Sequence, residues 1–190
     1  MEFLKENSYN MVKMFVDQIA MTVFGTIVTI ATSGNDDLLL VASLFSIVFY
    51  LVVLYTVGWD IGARDKIKID GGRMREMPAK GFLIALGANS INILLALLIG
   101  LGILINTEWA GNISVVCNAI ARLIQGMYLG VIKLAEDALF VDAVIQDVWW
   151  WFLITPIPAI LTGGLSYYMG SHNKRISEIF GIKLKNNTQK

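Results

Sequence analysis

The 21 residues from Leu38 to Gly58 carry no charged side chain. A helix needs roughly 20 apolar residues to cross the hydrocarbon core of a bilayer, about 30 Å thick. Three more segments have the same character. Residues 12–32 are interrupted near their start by Lys13, Asp17 and Gln18. Residues 82–105 contain Asn89, Ser90 and Asn92. Residues 148–170 open on Trp149, Trp150 and Trp151 and contain Pro156 and Pro158. Charged residues are 16% of the 190 and apolar ones 56%, where a soluble domain carries roughly 25% charged residues. This balance excludes a disordered chain, a fibrous repeat and a nucleic-acid binder. The first span reads as a retained span, not a secretory signal. It is too long, Glu2 and Glu6 precede it, and no small-residue cleavage site follows.

The distribution of basic residues orients the spans. Two of the fifteen Lys and Arg precede Asp17, six lie in 59–81 and five in 171–190. Only Arg122 and Lys133 fall elsewhere. The positive-inside bias therefore predicts cytoplasmic N- and C-termini in an integral protein of the plasma membrane, with the three tryptophans at the outer interface.

Between the third and fourth spans, residues 113–140 have helical periodicity. Val116, Ile120, Leu123, Met127, Val131, Leu134 and Ala138 share one face. Asn118, Arg122, Gln125, Lys133, Glu136 and Asp137 share the other. This pattern predicts an amphipathic extracytoplasmic helix that lies flat, re-enters the membrane or spans it. Within it, Gly126-Met-Tyr-Leu-Gly130 is a GxxxG pattern, which permits close helix packing within the chain or between subunits.

Residues 59–81 form the cytoplasmic loop. Charged and apolar residues alternate from Lys66 to Arg75 on either side of Asp70-Gly71, which predicts a β-hairpin. Its cations Lys66, Lys68, Arg73 and Arg75 would face lipid headgroups or a cytoplasmic partner.

Polar groups inside the spans are the candidates for function. Asp17 would pair with Lys13 four residues away, or bind a cation or proton. Gln18, Asn89 and Asn92 are amides in an apolar setting and need partners. Pro156 and Pro158 free backbone carbonyls, as the broken helices of transporters do. Ala85, Asn89, Asn92, Ala96 and Gly100 form a small, polar face, as do Thr155, Ala159, Thr162, Gly163, Ser166 and Gly170. Such faces are what membrane helices pack with.

The chain thus reads as one all-α membrane domain over 1–190. It is a four-transmembrane-helix bundle (12–32, 38–58, 82–105, 148–170) with an outer helix at 113–140, a loop at 59–81 and a tail at 171–190. No catalytic, cofactor or metal motif is visible. The leading expectation is a non-enzymatic subunit of a membrane assembly, acting through helix and loop contacts. The alternative is a homo-oligomeric channel or transporter for a cation or small solute. A third reading, an enzyme acting on lipid, would rest on Asp60 and Asp65. The expected partners are the bilayer and either further copies of the chain or a membrane-complex partner.

Overall fold

The computed structural model describes residues 2–105, 107–139 and 149–174, without the side chains of 135–139. The tail beyond 174, Val148 and the end of the expected outer helix lie outside these residues. Helix α1 is Glu2–Thr32 and α2 is Asp36–Asp70. They are followed by α3 (Lys80–Ala88), α4 (Ser90–Ile105) and α5 (Glu108–Ile124). A short 3-10 turn (Gly126–Tyr128), α6 (Leu129–Leu139), α7 (Trp151–Ile154) and α8 (Pro156–Ser171) complete the order. Glu2–Thr32, Asp36–Asp70 and Trp151–Ser171 are each long and apolar enough to cross a membrane. Two further lengths qualify only as bent pairs: α3 with α4, bent by 55°, and α5 with Gly126–Leu134, bent by 80°. The fold is therefore all-helical among the described residues, with three to five candidate spans.

The polar faces turn inward and the apolar ones outward. Gln18, Thr22, Gly25 and Thr29 are buried along α1. Ala85, Asn89, Asn92, Ala96 and Gly100 are buried along α3 and α4. Phe45, Val48, Leu94, Leu101 and Leu123 are exposed. This inversion suits helices whose surroundings are hydrocarbon, because close helix packing there depends on small residues and polar contacts. Gly58 and Gly62 meet Ser166 and Tyr167, and Gly81 meets Tyr167, so α2, α3 and α8 approach closely.

The residues expected as a hairpin belong to a helix. No strand occurs among the described residues, and α2 continues without a break through Lys66 and Lys68 to Asp70. The alternation that suggests a strand also places opposite charges three and four residues apart. Arg64 pairs with Asp60 at 2.8 Å, Lys66 with Asp70 at 3.3 Å and Lys68 with Asp65 at 3.3 Å. Such pairs support a helix that α2 has already nucleated. Asp70-Gly71 is its end: the Gly71 N–H donates to Ile67 O, and Gly72 takes φ +68°. Arg73 and Arg75 sit exposed in the connection to α3.

The expected outer helix also differs. Its helix begins earlier, at Glu108, and breaks at Gln125. Glycine is a poor helix former, and Gly126 sits against Thr26, where a Cβ would overlap the threonine hydroxyl. The two arms meet at close to a right angle. Gly87 of α3 lies against Met11 and Asn92 of α4 bonds Gln18, so the bend between α3 and α4 rests on α1. Helix α5 returns along α4, with Ser114 on Ile99, until Ile124 reaches Thr22. Helix α6 then runs along the start of α2, with Gly130 on Leu39 and Ser43 and Lys133 on Asp36. The third expected span also bends, at Asn89. The Asn89 side-chain amide and backbone N–H both donate to Ala85 O, at 2.9 and 3.0 Å.

Candidate functional site

Asn89 interrupts α3–α4, Gln125 interrupts α5–α6, and Thr155 precedes Pro156 at the junction of α7 and α8. All three interruptions reach the same place. With Gln18, Tyr50, Asn92, Tyr128, Pro156 and Ala159 they line one closed gap with no room for a water molecule. Helical rise of about 1.5 Å per residue puts Gln18 about 20 Å from the Thr32 end of α1, so the gap lies well inside the apolar lengths.

Two hydrogen-bonded groups build it. In the first, Asn92 Nδ2 donates to Gln18 Oε1 at 3.0 Å and to Asn89 Oδ1 at 3.1 Å. This ties α1 to the bend of α3–α4. In the second, the Thr155 hydroxyl donates to Gln125 Oε1 at 2.5 Å. Pro156 has no N–H to offer Phe152 O; the Thr155 hydroxyl approaches that carbonyl at 3.4 Å. The Thr22 hydroxyl donates to Ile124 O at 2.6 Å, so the frayed end of α5 is met by α1.

These bonds leave polar capacity unused. Asn92 Oδ1, Gln125 Nε2 and the Tyr128 hydroxyl are buried without a hydrogen-bond partner. Asn92 and Gln125 are each 1% exposed. An unmet buried donor or acceptor costs about 1–3 kcal/mol, and three in one place make a group able to receive a ligand with both donors and acceptors. Asp17, next to Gln18, lies within electrostatic range of Tyr50. Its Oδ2 is buried without a hydrogen-bond partner, and no Lys13 ion pair forms.

The remaining candidates lie elsewhere. Pro156 lines the gap, while Pro158 is half-buried two residues further along α8. Ala96 is fully buried and Gly100 lies under the Trp149 ring. Gly126 and Gly130 contact α1 and α2 of the same chain. Lys66 and Lys68 pair with carboxylates of α2. Asp60 and Asp65 do not share a site: Asp60 is half-buried and paired with Arg64, whereas Asp65 is buried against Lys80 at 2.7 Å and accepts from the Tyr167 hydroxyl at 3.2 Å. Gln125, Thr155, Tyr50 and Tyr128 escape a search for isolated intramembrane polar residues. The signal that finds Gln125 and Thr155 is a helix breaker next to a polar residue, Gln125-Gly126 and Thr155-Pro156; nothing comparable marks Tyr50 or Tyr128. No protein-family model, curated protein or solved structure matches the chain.

Proposed function

We propose that the chain is an integral membrane protein that carries a cation or small polar solute across the bilayer, with the buried amide centre as the transit site. The observation that supports this reading is the meeting of three helix interruptions around unpartnered amide and phenol atoms. Interrupted helices near mid-membrane are how many transporters present polar groups to a solute. The gap admits no water, which suits a carrier in a closed state better than an open pore. On this reading α1, α2, α3–α4 and α7–α8 are four spans, and α5–α6 is a bent, re-entrant pair. The basic bias puts the Lys80 end and both termini in the cytoplasm and the Asp36–Lys133 end outside the plasma membrane.

A second reading, a subunit that contacts another membrane protein, is favoured by one feature. Phe24, Phe45 and Phe49 form an exposed aromatic cluster on α1 and α2, with ring centroids 6.0 to 6.5 Å apart. The GxxxG glycines and two of the loop cations, Lys66 and Lys68, are taken up within the chain, while Arg73 and Arg75 stay exposed.

The test is uptake into proteoliposomes of protons, sodium, potassium and glycerol, each measured separately. Wild type accelerates at least one of them, and Asn92→Leu and Gln125→Leu each lower that flux about tenfold or more while the protein stays folded by thermal unfolding. Flux that is unchanged in both variants, or absent for all four probes, overturns the transit site.

A further inference from the structure

The neighbours of each amide in the buried centre fix which way it faces. Asn89 Nδ2 donates to Ala85 O at 2.9 Å. A carbonyl only accepts, so this nitrogen cannot trade places with Asn89 Oδ1. Asn89 Oδ1 therefore faces Asn92, which must offer it Nδ2, at 3.1 Å. The same nitrogen meets Gln18 Oε1 at 3.0 Å. Asn92 Oδ1 is then the free end, buried without a hydrogen-bond partner. At Gln125 the order is reversed. The Thr155 hydroxyl meets Gln125 Oε1 at 2.5 Å, shorter than an N–H···O bond, so the free, buried end is Nε2. The gap is thus lined by a free acceptor from α4, a free donor from the break after α5, and the unpartnered Tyr128 hydroxyl, which can do either.

We propose that the solute is small, uncharged and carries a carboxamide or urea group, a step that rests on the transit reading above. Other classes each meet a wrong group. A cation needs a shell of oxygens. Here Gln18 Oε1, Asn89 Oδ1 and Gln125 Oε1 are taken by N–H and O–H donors, and Gln125 Nε2 adds a free donor. Asp17 adjoins Gln18 in sequence but does not line the gap, because adjacent helical residues point apart. An anion would find no Lys, Arg or His among the described lining residues, and would meet Asn92 Oδ1.

A carboxamide answers both free ends with one rigid group. Its N–H donates to Asn92 Oδ1, and its carbonyl accepts from Gln125 Nε2. Donor and acceptor leave from different atoms, so one solute bridges two helices; a hydroxyl offers both from a single oxygen. Size follows from the closed gap, which has no room for a water molecule. A solute enters only as the helices part, and fewer atoms part them less.

The experiment measures uptake of radiolabelled urea, glycerol and sodium into proteoliposomes of the full chain. Wild type carries urea fastest, glycerol more slowly, and sodium no faster than empty vesicles. Excess acetamide competes with urea, whereas acetone, which keeps the carbonyl and lacks the N–H, does not. Gln125→Glu turns the free donor into an acceptor and lowers urea uptake about tenfold relative to glycerol, the weight of about one hydrogen bond. Glycerol hydroxyls can donate to the new carboxylate. The competition uses wild type alone, so it decides the matter even where Gln125→Glu does not fold. Sodium or glycerol carried in preference to urea overturns the amide class and keeps the transit site, as does acetone competing as well as acetamide. No uptake of any of the three overturns the amide class, and with protons and potassium also idle the transit reading falls with it.

Discussion

Asn92 does more than any other single residue to join the elements of the centre. Its amide bridges Gln18 on α1 and Asn89 at the bend, and its carbonyl oxygen is left over. Asp17 beside it is a different case, because a carboxylate at this depth is costly unless neutralised or paired. If a cation crosses here, Asp17→Asn lowers cation flux at least tenfold in proteoliposomes and leaves glycerol flux unchanged. Equal cation flux in wild type and variant would take Asp17 out of the path. Asp65 carries stability. It is 4% exposed, ion-paired to Lys80 and hydrogen-bonded by Tyr167. Asp65→Asn leaves the Lys80 ammonium without its counter-charge, and the expected loss is about 3 kcal/mol, read as a lowered unfolding temperature in detergent. The two roles do not separate in the sequence. Asp17 stands out there because it sits in an apolar run, whereas Asp65 sits among lysines and looks solvated until α8 covers it.

The helical faces are legible in the sequence because their small and polar residues recur at helical spacing. Gln18, Thr22, Gly25 and Thr29 all face inward for that reason. Boundaries and breaks are less legible. Lys66-Ile-Lys-Ile fits a strand by alternation and a helix by its pairs with Asp65 and Asp70, and the helix prevails because α2 is already formed. The break after Gln125 hides in a GxxxG pattern whose glycines serve a turn as well as a packing face. Glycine substitutions separate these uses. A Cβ on Gly130 would come within 2.5 Å of Leu39 O and 2.6 Å of Ser43 Oγ. Gly130→Ala therefore strains the docking of α6, with an expected cost of about 1–3 kcal/mol. Gly111 in α5 has nothing near its Cβ position, and Gly111→Ala is expected to stabilise by about 0.5–1 kcal/mol through helix propensity. Thermal unfolding of both variants checks the contrast; equal effects would mean that α6 does not dock on α2 as described.

At the scale of the molecule, apolar surface faces outward, amides gather at the centre, and cations collect at the two ends. The centre is tight, closed and short of hydrogen bonds, as a solute site between openings would be. A structural plug of the same residues would stay closed. A single thiol at the centre tells these apart. In a Cys117→Ala background, Gln125→Cys is treated in sealed proteoliposomes with a charged, membrane-impermeant thiol reagent, added outside or trapped inside. A carrier opens to each side in turn, so the account predicts labelling from both faces, while a Cys placed at fully buried Ile84 stays unlabelled. Absence of labelling from either face, under conditions where an exposed Arg75→Cys control reacts from its own side, would contradict the central claim that this polar centre is a transit site.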